Sequence, residues 1–274
     1  MSPLLVILVV TVLILAAIIS RPWRVRLQRR RIARRPFPDA WRRILRARLP
    51  WFRAMPADLQ LQLKGRIQVF LEEKNFIGCA GLDIDDDIRV TIAAQACLLL
   101  LNRHTDFFPQ LRSILVYPAA FIANRPEQDD IGVLHQQDRT LLGESWSHGQ
   151  VVVSWQDAIA GAANAEDGTN VVIHEFAHQL DQETGSANGV PYLGRKGDYQ
   201  RWSETFGLAF EELRTLAARG EESLLDPYGA TNPAEFFAVA SEVFFERAQA
   251  LDNQYPELYR ELSGYYRVNP LSWR

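Results

Sequence analysis

Val171-Val172-Ile173-His174-Glu175-Phe176-Ala177-His178-Gln179-Leu180-Asp181 is the segment on which every other assignment in this chain depends. On an α-helix, residues four apart lie on one face, one turn above the other. His174 and His178 then aim two imidazoles at one point, where a metal ion fits. Glu175 lies about 100° round the helix from His174, within reach of a water held at that point. Phe176 and Ala177 are uncharged, and Val171 to Ile173 lead in with apolar side chains, as a half-buried helix requires. This is the H-E-x-x-H arrangement of zinc hydrolases. The plain alternative is an amphipathic helix with two histidines on its polar side.

A catalytic zinc usually has three protein ligands and one open position for water. None of the five histidines follows His178, so the third ligand is expected to be a carboxylate on a second, facing helix. Asp181 and Glu183 are too near in sequence. Asp181, seven residues after His174, shares its face and suits a partner that orients a histidine ring. A later helical stretch, Ala234 to Ala250, offers Glu235, Glu242 and Glu246. Asn232-Pro233-Ala234-Glu235 has a cap residue, a first-turn proline and a glutamate at the capping-box position, so Glu235 has a competing role. Glu235 and Glu242 are seven apart and share a face; spacing alone leaves them equal.

Leu4 to Ile19 is apolar except for Thr11. With Pro3 it makes a helix of about 26 Å, the short end of what crosses a hydrocarbon core of about 30 Å. Arginines follow it rather than precede it: Arg21, Arg24, Arg26, Arg29, Arg30, Arg31, Arg34 and Arg35. The positive-inside rule keeps that end in the cytoplasm. A cleaved signal peptide is the alternative, and would want the opposite flanks. Residues 1–53 hold 13 Arg, no Lys and one acid, Asp39, for a charge of +12, while the remainder has 17 Lys+Arg against 32 Asp+Glu, or −15. An acidic body argues against direct nucleic-acid binding. The Arg run could grip anionic lipid, with Trp23, Trp41 and Trp51 packing at the interface. Cys79 and Cys97, with no C-x-x-C, read as buried reduced thiols.

Along the body, apolar rhythm predicts helices over 57–75, 87–102, 199–219 and 234–250. Asp83, Asp85, Asp86 and Asp87 read as a capping loop for the second of these. Strands are expected at Ser113 to Tyr117, near Gly132 to His135, and at Gln150 to Trp155. The last is either a strand bordering a substrate cleft or an ordinary interior strand. Gly185 to Gly197 is a loop. His104, His135 and His148 read as surface or capping residues. Pro36, Pro38 and Pro50 punctuate a basic connector. The expected division is 1–20 transmembrane anchor, 21–50 Arg-rich juxtamembrane connector, and 51–274 catalytic domain. The class is α+β, mostly helical with a small mixed sheet.

His174 to Asp181, Tyr228-Gly229-Ala230-Thr231-Asn232-Pro233-Ala234-Glu235-Phe236-Phe237-Ala238, Asp130 to Val133, Val151 to Trp155 and Ser241 to Phe245 together resemble the Mlc titration factor A family of zinc-dependent peptidases. The catalytic motifs are also similar to those of the anthrax lethal factor protease domain. The resemblance spans roughly Trp51 to the C-terminus and implies a zincin-like fold binding one Zn2+. It puts the ligands on His174, His178 and Glu235, the general base on Glu175, and an oxyanion-facing hydroxyl on Tyr228. It also implies aminopeptidase-like hydrolysis of peptide bonds by a zinc-activated water, and binding of a glucose-responsive transcriptional repressor. The membrane span departs from the soluble founding member. The expected location is therefore a bacterial inner membrane, single-pass, with the catalytic domain in the cytoplasm. The alternative function is a membrane-tethered binding protein that sequesters a repressor without catalysis.

Overall fold

Pro38, Pro50 and Pro56 each stand at a helix start, where a missing N–H costs nothing. They open α2 (Asp39–Arg48), α3 (Pro50–Ala54) and α4 (Ala57–Glu73), which follow the long α1 (Pro3–Ala33). The computed structural model describes residues 3–103, 106–119, 121–128, 134–141, 143–146 and 149–273. Leu45, Leu49 and Phe52 are buried in the same core as the rest of the protein, so the basic segment after α1 is folded structure. α2 is amphipathic: Trp41, Ile44 and Leu45 face the body while Arg43 and Arg46 are exposed.

The order continues β1 (Asn75–Gly78), α5 (Asp86–Leu98), β2 (Ser113–Tyr117), β3 (Phe121–Gln128), β4 (Leu134–Leu141), β5 (Gly143–Trp146), β6 (Gln150–Ser154) and α6 (Trp155–Ala163). It closes with α7 (Val171–Asp181), α8 (Lys196–Arg219), α9 (Pro233–Glu246), α10 (Ala248–Gln254) and α11 (Pro256–Tyr266). The main sheet has the order β1-β2-β6-β5. β1, β2 and β6 are parallel, with Ser113 opposite both Asn75 and Gln150, and β5 returns antiparallel to β6. β3 and β4 form a separate antiparallel ribbon.

β6 is an interior strand, paired on both sides and buried from Val151 to Ser154. This corrects the cleft-bordering alternative: an unbroken Val-Val-Val run is the pattern of a strand covered on both faces. Among the described residues, the outer edge of the sheet next to the histidine helix belongs to β5. Other boundaries moved for local reasons. The 57–75 helix stops at Glu73 because Asn75 enters β1, whose first residue pairs with Ser113. The acidic loop does cap α5, with the Asp85 side chain accepting from the Ile88 amide at 2.9 Å. Trp155 begins α6, capped by Ser154. The strand expected near Gly132 to His135 is seen from Leu134 onward; Gly132 and Val133 lie outside the described residues.

The core is aromatic where the helices cross. Phe176 of α7 packs between Phe70 and Phe108, with centroids at 5.8 and 4.9 Å. Trp202 of α8 stacks on Phe206 at 3.9 Å and meets Phe237 of α9 and Tyr265 of α11. α7 therefore lies with one side on the sheet and core and the other on α9.

Candidate metal centre

Each of the two helices that build the site begins at an asparagine cap. The Asn170 side chain accepts from the Ile173 amide at 3.0 Å at the start of α7. The Asn232 side chain accepts from the amides of Ala234 at 2.9 Å and Glu235 at 3.0 Å at the start of α9. These caps fix the helix phases, and α7 packs on α9 with His174, His178 and Glu235 facing one another.

His174 Nε2 lies 2.9 Å from Glu235 Oε2, His178 Nε2 lies 3.2 Å from the same oxygen, and the two Nε2 atoms are 3.2 Å apart. Zinc bonds of 2.0–2.1 Å in a tetrahedron set neighbouring ligand atoms about 3.3 Å apart. Two imidazoles and a carboxylate at these separations fit a single divalent cation. Their side chains are 10–17% exposed, so the point of convergence is shielded yet reachable from solvent.

The electrostatics point the same way. Burial works against the charged form of His174, but hydrogen bonds to Glu235 and Glu242, with the charge of Glu175, outweigh it and raise its pKa well above the usual value. Burial likewise opposes ionisation of Glu235, yet both imidazoles together hold its carboxyl well below the usual carboxylate range. The same carboxylates that favour positive charge on His174 would favour a divalent cation beside it.

Glu235 and Glu242 differ in which imidazole nitrogen each meets. Glu235 converges on both Nε2 atoms, whereas Glu242 Oε1 lies 2.8 Å from His174 Nδ1. The other Glu242 oxygen accepts from the Asn170 backbone amide. Burial pushes this carboxyl up, and His174 and the Asn170 amide pull it back. With a donor on each oxygen, the carboxylate is the form that leaves no polar atom stranded. As a carboxylate it would accept from Nδ1–H and leave the Nε2 lone pair to a metal. Sequence reasoning placed Glu242 among the ligand candidates and missed this role. Glu246 also turns to the cap, accepting from Asn170 Nδ2 at 2.9 Å, and Asn170 Nδ2 bridges to Gln95 of α5 at 2.9 Å.

Asp181 is fully buried, and its Oδ2 accepts from the Gly189 amide at 2.7 Å. Gly189 has φ +78°, and a Cβ there would lie 2.3 Å from the Pro233 carbonyl. Its own carbonyl accepts from Trp202 Nε1 at 2.9 Å. The loop between α7 and α8 is thus pinned against the first turn of α9, two residues from Glu235. Glu175 is buried on α7 at 3% exposure. Tyr228 sits in a short 3-10 turn, Pro227–Ala230, capped by Asp226. Its ring centroid is 6.0 Å from that of His174, and the residue is 53% exposed. All five residues expected at the site are therefore placed on α7, on the start of α9 and on the turn before it. His104, His148 and Asp130 to Val133 lie outside the described residues; His135 falls in β4.

Residues 23–267 match the family described as Glucose-regulated metallo-peptidase M90. The chain belongs to this family. It is similar to Mlc titration factor A of Escherichia fergusonii, 32% identical over 226 residues that cover 81% of this chain and 84% of that one. The protein of the same name from Salmonella choleraesuis is 31% identical over 232 residues, covering 81% and 86%. "Uncharacterized protein slr2042" of Synechocystis is 40% identical over 272 residues, 99% of both chains. The M90 match begins at Trp23, just beyond the apolar part of α1. That part is the one candidate span among the described residues, long and apolar enough to cross a membrane, with a mean hydropathy of 3.0.

Proposed function

We propose that this M90 protein is a zinc-dependent peptidase with a zincin-like catalytic domain, tethered by residues 1–20 and facing the cytoplasm. Residues 21–50 form its basic juxtamembrane part, whose α2 packs onto the catalytic domain of residues 51–274. The observation that carries the reading is the convergence of His174 Nε2, His178 Nε2 and Glu235 Oε2 within 4.8 Å. Zinc, when bound, supplies Lewis acidity that acidifies water and polarises a carbonyl oxygen. The remaining work falls to side chains. Glu175 accepts the proton of the attacking water and returns it to the leaving amine. The Tyr228 hydroxyl donates to the oxyanion as it develops. His178 and Glu235 complete the donor set, and Glu242 holds the His174 tautomer. The edge of β5 that no described strand pairs, next to α7, is where an extended peptide would add as a strand. Aminopeptidase-like specificity follows the family resemblance.

The test uses purified full chain. Metal analysis should find one zinc per chain, and peptide-library cleavage should stop on chelation and in Glu175→Gln. Cleavage by Glu175→Gln at the wild-type rate would overturn the base assignment. A second reading is supported by the relatives called Mlc titration factor A and by the repressor binding that the family resemblance implies: the body binds a transcriptional repressor at the membrane. That binding should survive chelation and Glu175→Gln.

A further inference from the structure

The two halves of α1 have different surroundings. The described side chains of its apolar half are exposed, and none of that apolar stretch is buried against the body. Its basic half is fastened. The Arg29 guanidinium holds Glu73 at 2.7 and 3.0 Å and Asp106 at 2.7 Å, and lies over the Phe107 ring. Ile32 is 2% exposed. A Cβ on Gly65 of α4 would stand 3.2 Å from Ala33 Cβ, so the two helices meet at a close crossing. Gln68 Nε2 donates to the carbonyls of Arg35 and Pro36 just past the helix end.

Between the halves the helix does not break, although Pro22 lies at the junction. From Ser20, where the apolar run ends, to Arg29, where the clamp begins, is nine residues, or about 14 Å. A lipid headgroup layer is about 5–7 Å deep. Arg21, Arg24 and Arg26 occupy this interval, all exposed, with no carboxylate partner among the described residues. Arg24 reaches back only to the Ala17 carbonyl. Three cations with no described carboxylate partner, on a stiff rod next to an apolar segment and ahead of an acidic body, match an anionic lipid surface.

We propose that the basic half of α1 is a stiff stalk seated in an anionic headgroup layer through Arg21, Arg24 and Arg26, which holds the metal-site domain against the bilayer without slack. This rests on reading α1 as a membrane anchor. Each such arginine favours anionic lipid by about fivefold, so the three together give on the order of 10²-fold. A domain held this way works on polypeptide lying along, or tethered to, the lipid surface.

The experiment uses the full chain in lipid nanodiscs. Cys79→Ser removes the accessible thiol; Cys97 is buried, with its thiol pushed up by burial, and stays unlabelled. Spin labels at Leu8→Cys and Leu61→Cys, both exposed positions, report the distance between span and body. A single narrow distribution is expected, broadened by a Gly-Ser-Gly insertion between Ser20 and Arg21. A broad distribution in the uninserted chain overturns the stalk. For the lipid, the chain is reconstituted from equal amounts of phosphatidylglycerol and phosphatidylcholine, and the lipid retained around it is measured. Enrichment of phosphatidylglycerol that falls to parity in the triple variant Arg21→Gln, Arg24→Gln, Arg26→Gln supports the headgroup contact. Enrichment unchanged in that variant overturns it. A chain that stays in the aqueous phase on detergent partition overturns the anchor itself, whereas one that inserts but gives broad distances overturns the stalk alone.

Discussion

Glu242→Gln changes one oxygen to an amide nitrogen, and neither orientation of the new amide satisfies the site. In the first, the amide oxygen keeps the proton of His174 Nδ1, at the 2.8 Å separation seen for the carboxylate, and the NH2 then faces the Asn170 backbone N–H, donor against donor. In the second, the oxygen keeps Asn170, and the NH2 donates to His174 Nδ1. That forces the proton onto Nε2 and removes the lone pair His174 would offer to a metal held jointly with Glu235 and His178. The first orientation strands buried donors at about 1–3 kcal/mol. The second blocks a ligand. Losing the carboxylate behind a ligating imidazole typically costs 10–100-fold in metal affinity, or about 1.4–2.7 kcal/mol. Zinc affinity would be measured by competition against a chromophoric chelator at pH 7, with denaturant unfolding of the metal-free protein alongside. The expected result is a 10–100-fold rise in Kd together with a loss of about 1–3 kcal/mol of stability. An unchanged zinc Kd in a folded Glu242→Gln protein would refute the tautomer argument.

His178→Ala should abolish stoichiometric zinc binding by metal analysis, because two donors remain where three converge. Tyr228→Phe should leave zinc content and unfolding midpoint unchanged and slow peptide turnover by about 10²–10³, the usual effect of one lost oxyanion donor. Phe176→Ala, at a fully buried position between Phe70 and Phe108, should destabilise the fold by about 3–5 kcal/mol in urea titration. Glu246 offers a pH test. Burial, with Asp167 and Glu242 nearby, pushes its carboxyl up to about 8, despite a hydrogen bond from Asn170. The folded state therefore binds the proton more tightly than the unfolded state. Stability should fall as pH rises from the ordinary glutamate range through about 8, and Glu246→Gln should flatten that dependence in melting curves.

The candidate site was more legible than the sheet because a motif suited to holding a metal has fixed spacings and a short strand does not. The i, i+4 relation of His174 and His178 survives any change in the surroundings of α7. Nothing comparable marks Asn75–Gly78, four residues whose strand character exists only through pairing with Ser113 to Val116. β5 is equally short, and its Gly-Glu-Ser-Trp sequence carries no alternation strong enough to announce an edge strand. The prolines after α1 misled for a different reason. A proline that breaks a connector and one that opens a helix look alike until the following residues are seen to bury a face, as Trp41, Ile44 and Leu45 do. Glu235 and Glu242 could not be separated by period, since residues seven apart share a face on any straight helix. Depth along the α7–α9 contact distinguishes them, and depth is a tertiary quantity.

That same contact explains why α7 and α9 keep their register. One end is held by Glu242 of α9 on the amide of Asn170, the cap of α7. The other is held by Asp181 at the end of α7, on the amide of Gly189, which is packed against Pro233 at the start of α9. The donors lie between these two ties, so neither a slide nor a rotation of one helix past the other can separate Glu235 from the imidazoles without breaking a buried hydrogen bond. Gly189→Ala attacks only the second tie. With φ at +78° and a Cβ 2.3 Å from the Pro233 carbonyl, the alanine must push the first turn of α9 away from α7. The tilt moves Glu235, two residues on, and leaves Glu242, two turns deeper, in place. Zinc affinity should therefore drop while the His174–Glu242 pairing persists. That pairing is readable from the retained Nδ1–H resonance of His174 in the metal-free protein. Loss of that resonance together with zinc would mean the whole helix pair had come apart, and that the two ties do not act separately.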